Sequence, residues 1–184
     1  MKNITRVFFD TEFTGLHQST SLISIGFVAD SGKKLYAELT DYDRSQVNPW
    51  LEENVIGNLL HKNGVEGNTT YITGSKEEVG PKIREWLDQF EKVEFVADVP
   101  HYDFVLLIDL VYGDAMNMPY MAHGSAVYDV NIDIARKLGI TCLEAFDVNR
   151  ENFLQELEGA LPQGAKHNAL YDAEVCKALY EALR

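Results

Sequence analysis

The stretch RVFFDTEFTGL, residues 6–16, places two carboxylates directly after an apolar run. Asp10 and Glu12 are two residues apart, so on a β-strand both side chains point to the same face. Two like charges beside a buried strand are unfavourable unless a cation or a shared proton compensates them. The pair therefore indicates a metal site or a catalytic acid pair, although the same spacing also occurs by chance.

Two further acids lie on apolar faces of predicted helices. Asp103 is followed by leucines three, four and seven positions later, so it begins the buried stripe of its helix. Asp172 precedes Cys176 by four residues and lies on the same line of the C-terminal helix. Taken singly, Asp103 fits a helix cap after Pro100 equally well. Asp172 alone also fits a partly exposed helical acid.

A histidine lies close to the last of these acids. His167 is five residues before Asp172, so on one continuous helix the two side chains would face different directions. The sequence predicts instead that His167 lies in a loop before Asn168, which would be the helix N-cap. From there the imidazole could reach over the start of the helix. Three segments each place an acid on an inward face, and one of them adds a histidine.

The hydrophobic periodicity predicts the elements that position these side chains. Hairpins come first and strands alternate with helices later, which indicates one mixed sheet with helices on both faces. The predicted strands cover residues 6–13, 21–30, 34–40 and 93–99, and a further short strand lies within 126–130. The predicted helices cover residues 49–64, 75–90, 102–112, 131–139 and 169–183. Residues 64–74 are predicted to be a polar loop.

The composition fits one soluble globular domain over residues 1–184. No run approaches the roughly 20 apolar residues of a membrane span, and no leader pattern precedes Val7, so we expect a cytoplasmic protein without membrane contact. Cys142 and Cys176 match no metal or redox spacing, and both are predicted to be buried thiols. The net charge of −13 argues against a broad basic nucleic-acid surface and favours a short footprint at one metal-loaded cleft.

Three segments resemble the motifs of the DEDDh 3′–5′ exonucleases, the group of RNase T, oligoribonuclease and the polymerase proofreading subunits. They are FDTEFTGL at 9–16, HYDFVLL at 101–107 and HNALYDA at 167–173, in the order of that family. The resemblance implies an RNase H-like α/β fold with a mixed five-stranded sheet flanked by helices on both faces. It also implies metal-dependent 3′–5′ hydrolysis of phosphodiester bonds at single-stranded 3′ ends, with RNA slightly favoured over DNA.

The same resemblance assigns roles to nine residues. Two divalent ions, Mg²⁺ or Mn²⁺, are expected to be bound by four carboxylates, with a histidine as general base and a following turn against the 3′-terminal nucleotide. The expected metal ligands are Asp10, Glu12, Asp103 and Asp172, the expected general base is His167, and the expected nucleotide contacts are Phe13, Thr14, Gly15 and Leu16. Family members of this kind are often homodimers, and the apolar connection at 112–122 is a candidate dimer segment, although packing into the core explains its composition equally well.

At two positions the chain differs from the usual motifs of this family, and these differences indicate which branch it resembles. Many relatives have Asn where this chain has Val99, and many have Glu in the second strand where it has Ser24. Together with the segment PWLEENV at 49–55, these features look more like a small bacterial exoribonuclease branch than the proofreading branch. Two other functions stay open at this point: a catalytically silent exonuclease-like binding module, and a metal-dependent phosphodiesterase on nucleotides or dinucleotides.

Overall fold

The computed structural model describes residues 4–65, 67–119 and 127–184, and a mixed sheet forms the centre of this part of the chain. Its six strands run in the order β4-β3-β2-β1-β5-β6. The β1–β2 and β2–β3 pairs are antiparallel, whereas β3–β4, β1–β5 and β5–β6 are parallel. The strands are β1 (Thr5–Phe13), β2 (Leu22–Ala29), β3 (Lys34–Leu39), β4 (Thr69–Gly74), β5 (Val93–Ala97) and β6 (Tyr128–Asp129).

The predicted mixed sheet is confirmed, but it has six strands instead of five. The additional strand is β4, which lies in the stretch 64–74 that was predicted to be a loop. Its residues TTYITG pair in parallel with the whole of β3, and Ile72 is buried. The strand was missed because polar and glycine residues surround its β-branched residues. Pairing with β3 stabilises a strand that local propensity alone does not predict.

Eight α-helices flank the sheet in the described residues. They are α1 (Pro49–Asn54), α2 (His61–Gly64), α3 (Lys76–Asp88), α4 (His101–Val111), α5 (Val130–Leu138), α6 (Cys142–Phe146), α7 (Arg150–Glu156) and α8 (Ala169–Ala182). The helix predicted over 49–64 is therefore broken, because a 3₁₀ turn at Ile56–Asn58 separates α1 from α2. A glycine at position 57 lowers the local helix propensity and permits this break.

The two faces of the sheet carry two hydrophobic cores. Val7 and Phe9 of β1 pack in the core that contains residues of α3 and α4. Phe8 points to the opposite face and packs with residues of α5, α7 and α8. Because side chains alternate along a strand, Asp10 and Glu12 lie on the face of Phe8, towards α8.

A glycine in β2 allows α8 to approach this face closely. Gly26 pairs directly with Asp10 in the antiparallel ladder. A Cβ atom at Gly26 would lie 2.5 Å from the backbone of Ala169 and Leu170, in the first turn of α8. Only a residue without a side chain fits there, and the close approach brings the start of α8 next to the acids of β1.

Three further expectations concern the connections and the surface. The candidate dimer segment 112–122 lies partly outside the described residues, which end at 119 and resume at 127. Cys176 is buried as predicted, whereas the prediction for Cys142 was wrong, since this thiol is exposed in the first turn of the short α6. Among the described residues, no helix combines the length and the apolar character that crossing a membrane requires.

Candidate active site

The first two acids lie at the end of β1, where the strand leaves the core. Asp10 and Glu12 are half-buried and follow directly after the buried run 7–9. They open into a cleft of about 740 Å³ that also contains Asp103, Asp172 and His167. The structure therefore brings all five predicted motif residues together, although they come from three distant segments of the chain.

Asp103 reaches the cleft from the opposite side of the sheet. It lies in the first turn of α4 and is buried. Its Oδ1 accepts hydrogen bonds from the backbone N–H of Thr11, at 3.1 Å, and from the Thr11 hydroxyl, at 2.6 Å. Thr11 stands between the two β1 acids in sequence and faces the α4 side. These bonds fix the start of α4 to the end of β1 and hold the third carboxylate beside the other two.

Asp172 and His167 come from the start of α8. Asn168 is the N-cap, as predicted, and its side-chain oxygen accepts hydrogen bonds from the N–H groups of Leu170 and Tyr171. His167 precedes it in a loop with a left-handed backbone, at φ 63°. The N–H of His167 donates to Oδ2 of Asp172 at 2.8 Å. A hydrogen bond thus joins the backbone of the loop histidine to the side chain of the helical acid.

Burial raises the pKa of all four carboxylates. Burial raises the pKa of Glu12 from 4.5 to about 8, and the charges of Asp172 and Asp103 add to the shift. Burial likewise raises the pKa of Asp10 well above its ordinary value, with further contributions from Asp103 and Asp172. The pKa of Asp172 rises to about 7 through burial, although the bond from the His167 N–H opposes this. Burial also raises the pKa of Asp103, against the hydrogen bonds from Thr11.

This donor set fits divalent cations. Carboxylate oxygens are hard ligands that suit Mg²⁺ and Mn²⁺. Ligand atoms of Glu12, His167 and Asp172 all lie within 4.8 Å of one another. Buried like charges destabilise each other, and a bound cation would remove that repulsion.

The residues predicted to contact the nucleotide line the same cleft but differ in availability. Phe13 stacks on Tyr102, with ring centroids 5.7 Å apart and planes 20° apart, and Leu16 is 74% exposed. Thr14 is buried, and its hydroxyl accepts from the N–H of Ser21. The N–H groups of Thr14 and Gly15 both donate within the protein, to the Ser21 carbonyl and to a threonine hydroxyl. Phe13 and Leu16 thus offer free apolar surface, whereas the polar groups of Thr14 are occupied.

Two side chains next to the acids were missed from the sequence. Trp50, which is 51% exposed, places its ring edge-on to the His167 ring, with centroids 5.0 Å apart. Asp98 follows β5, lines the cleft, and its charge raises the pKa of Asp10. An acid at the carboxyl end of a buried strand was a signal for Asp98, by the same reasoning that selected Asp10. Nothing local indicated that Trp50 would meet the histidine.

Asp98 is held by an arginine that uses every donor it has. Arg150 Nε donates to Asp98 Oδ2 at 2.6 Å, and Nη2 donates to Oδ1 at 2.9 Å. Nη1 donates to the carbonyls of Ala145 and Val148, and Nη2 also donates to the side chain of Asn131. A guanidinium has five N–H donors, so Arg150 is fully satisfied. Arg150 thereby links Asp98, at the end of β5, to the three helices α5, α6 and α7.

The two positions that depart from the related motif have defined surroundings. Val99 has a left-handed backbone, at φ 54°, and its N–H donates to Asp129 Oδ1 at 3.0 Å. A β-branched residue in this region is strained, so the bond to Asp129 and the fixed Asp98 hold the turn before α4. Ser24 pairs opposite Glu12 in β2 and is fully buried.

Comparison with solved structures identifies the class of fold. The chain resembles a 3′-exonuclease solved for 3′-end-specific recognition of a histone mRNA stem-loop, with a TM-score of 0.64 and 10% identity, over 97% of this chain and 63% of that one. It also resembles the Pan2 catalytic unit of Neurospora crassa, with a TM-score of 0.56 and 17% identity, over 97% of this chain and 26% of that one. At these identities the likeness shows the fold, which is the RNase H-like α/β type of exonucleases.

Sequence comparison identifies the family. Residues 5–183 match the 3′-5′ exoribonuclease Rv2179c-like domain, and the chain belongs to this family. Two curated relatives, 3′-5′ exoribonuclease Rv2179c and 3′-5′ exoribonuclease MT2234.1, come from the H37Rv and CDC 1551 / Oshkosh strains of Mycobacterium tuberculosis. Each is 31% identical over 107 residues, which cover 57% of this chain and 60% of the relative. The predicted placement in a small bacterial exoribonuclease branch is confirmed.

Proposed function

We propose that this chain is a metal-dependent 3′–5′ exoribonuclease that acts on single-stranded 3′ ends. The observation that carries the proposal is the convergence of four carboxylates and one histidine, from β1, α4 and the start of α8, in one cleft. The family match supports the reaction class, since the family is one of 3′–5′ exoribonuclease domains. The intact set of acids argues against a silent binding module, because a degenerate site usually lacks at least one carboxylate.

Asp10, Glu12, Asp103 and Asp172 would bind two divalent ions, Mg²⁺ or Mn²⁺. When bound, the ions supply Lewis-acid stabilisation of the phosphoryl oxygens. The protein's part is to hold the four carboxylates in place: Asp103 through Thr11, and Asp172 through the N–H of His167. Burial and, secondly, repulsion between the acids raise the pKa of Asp10 and Glu12, and a bound cation would favour the charged forms of both.

His167 would act as the general base that takes the proton of the attacking water. Burial lowers the pKa of His167 below 6.5, and the positive charge of Lys166 lowers it further. The imidazole is therefore neutral at pH 7 and has a free lone pair for the proton. Ligand atoms of Glu12 and Asp172 lie within 4.8 Å of an imidazole nitrogen of His167, and this closeness supports the proposed role.

The apolar part of the cleft would receive the 3′-terminal nucleotide. Phe13, stacked on Tyr102, and the exposed Leu16 offer flat and wedge-shaped apolar surfaces for a base. Trp50 adds a further aromatic ring beside His167. The preference for RNA over DNA rests on the family and on the names of the relatives, which are 3′–5′ exoribonucleases.

The proposal is tested by digestion of 5′-labelled RNA and DNA oligomers with Mg²⁺, with Mn²⁺ and with EDTA. We expect stepwise shortening from the 3′ end that requires metal and is faster on RNA. Asp103→Asn should abolish it. Asp109→Asn is the matched control, because this acid lies on the same helix but is exposed and paired with Lys76. Activity that persists in EDTA, or in Asp103→Asn, would contradict the mechanism. Tight RNA binding without shortening would instead support the silent module.

A second candidate, a phosphodiesterase on dinucleotides and other very short substrates, is favoured by the net charge of −13. A strongly acidic protein repels a long phosphate backbone outside its metal site. A length series from dinucleotide to decamer separates the two functions. Higher kcat/KM on dinucleotides than on longer oligomers would favour the second candidate. The homodimer is a further proposal, and light scattering of the purified chain tests it.

A further inference from the structure

Asn58 forms hydrogen bonds on both sides of His167 in the fold. It is the last residue of the 3₁₀ turn between α1 and α2. Its side-chain Nδ2 donates to the carbonyl of Lys166 at 3.0 Å, and its own carbonyl accepts from Nδ2 of Asn168 at 2.9 Å. The residues immediately before and after His167 are therefore both bound to this one residue, which is more than 100 positions away in the sequence.

The backbone of His167 needs such support. Its φ of 63° lies in the left-handed region, which is unfavourable for a residue with a side chain. A strained conformation persists only when the surrounding structure over-determines it. Three bonds do so here: the His167 N–H to Asp172, the Asn58 amide to Lys166, and the Asn168 amide to Asn58. Two of these three involve Asn58.

Asn58 is itself fixed on the other side. Its amide also donates a hydrogen bond to the carbonyl of Asn54 at 2.6 Å, and Asn54 is the last residue of α1. The same helix carries Trp50, whose ring contacts the ring of His167. Trp50 of α1 thus contacts the ring of the histidine, and Asn58 of the following turn bonds the two residues on either side of it, Lys166 and Asn168.

Asn168 is a further member of this hydrogen-bond network. It is 3% exposed, caps α8 with its side-chain oxygen, and uses its two amide hydrogens on the Asn58 carbonyl and on the Tyr36 hydroxyl. All its polar atoms are satisfied, so its orientation is unique. Asn58 therefore bonds the fixed side chain of Asn168 on one side of His167 and the backbone carbonyl of Lys166 on the other.

We propose that Asn58 is a positioning residue for His167, holding the strained loop so that the imidazole stays at the edge of the metal site. The inference rests on the proposed function of His167 as general base. Loss of the amide frees the Lys166 carbonyl and lets the loop relax out of the left-handed conformation. The base is then misplaced in most molecules, so kcat falls while the nucleotide surfaces, and with them KM, are retained.

A double-mutant cycle tests this on RNA digestion in Mg²⁺. Asn58→Ala removes both hydrogen bonds of the amide, to Lys166 and to Asn54, and should lower kcat by about tenfold with KM within about twofold, as expected when hydrogen bonds of typical strength are lost. In a His167→Ala background, Asn58→Ala should change kcat by less than about twofold, because the group it positions is gone. Asn54→Ala is the matched control: this neighbouring amide bonds only the carbonyl of Trp50, inside its own helix, and kcat should be unchanged.

The outcomes separate the two levels of the proposal. If His167→Ala retains full kcat, the general-base assignment fails, whatever Asn58 does. If His167→Ala is impaired but Asn58→Ala is not, the positioning role alone is overturned. An equal loss from Asn58→Ala in both backgrounds also overturns it, since that loss would reflect the fold rather than the histidine. Should Asn58→Ala unfold, Asn58→Asp serves instead, because it keeps the size and removes the donor to Lys166; unchanged kcat in that variant overturns the role.

Discussion

The metal-free protein is expected to lose stability as the pH rises from about 4.5 to about 8. In this range Glu12, with its pKa raised from 4.5 to about 8, keeps its proton in the folded chain and loses it in the unfolded chain. Asp172, with its pKa raised from 3.8 to about 7, behaves in the same way. The folded state therefore binds more protons than the unfolded state, and the free energy of unfolding falls with increasing pH.

The size of the effect follows from the Glu12 shift. At about 1.4 kcal/mol per pKa unit, the full shift corresponds to about 5 kcal/mol. Because the Glu12 side chain is only half-buried, solvent screening reduces this to about 2–4 kcal/mol. His167 acts in the opposite direction, since its lowered pKa makes stability rise with pH up to about 6.5. A divalent cation at the site removes the repulsion, so the fall should disappear with Mg²⁺.

The assay is urea unfolding at several values between pH 5 and pH 8, in EDTA and in Mg²⁺. The comparison is made between the native chain, Glu12→Gln and the exposed control Glu52→Gln. We expect the decline in EDTA to be equally steep in the native chain and in the control, and less steep in Glu12→Gln, where Asp172 still contributes. Subtracting the Glu12→Gln curve also cancels the contribution of His167. Stability in EDTA that is constant or rises over this range, or an undiminished decline in Glu12→Gln, would refute the reasoning.

Three further predictions concern the surroundings of the site. Gly26→Val should destabilise the chain by about 2–3 kcal/mol and abolish RNA digestion, because its side chain would collide with the backbone of α8. Gly64→Ala, with 3.4 Å to its nearest neighbour, should fold and digest RNA normally. Urea unfolding and digestion check both. Arg150→Met should cost about 3–5 kcal/mol of unfolding free energy by leaving Asp98 unpaired, and adding Asp98→Leu should recover much of it. Trp50→Ala should raise KM for RNA about 5- to 100-fold, and Trp50→Phe by less, if the ring stacks on a base; equal KM values would contradict that role.

Short-range features of this protein were readable from the sequence because their partners are near in the chain. Asn168 caps α8 through N–H groups two and three residues later, and the N–H of Ser75 bonds Glu78, three residues on, at the start of α3. The alternation that puts Asp10 and Glu12 on one face follows from strand geometry alone. Each of these depends on local backbone geometry, so spacing and residue type suffice.

Contacts between distant segments needed the tertiary structure. Strand β4 exists because Thr69–Gly74 pairs with β3, which local composition does not specify. Arg150 meets Asp98 across 52 positions, and Asn58 meets Lys166 across 108. The sequence by itself indicated which residues are candidates for the chemistry, and which helix or strand carries each of them. Packing of the two cores decided what holds those residues in place, because side chains far apart in the chain meet only after the sheet and α8 have come together.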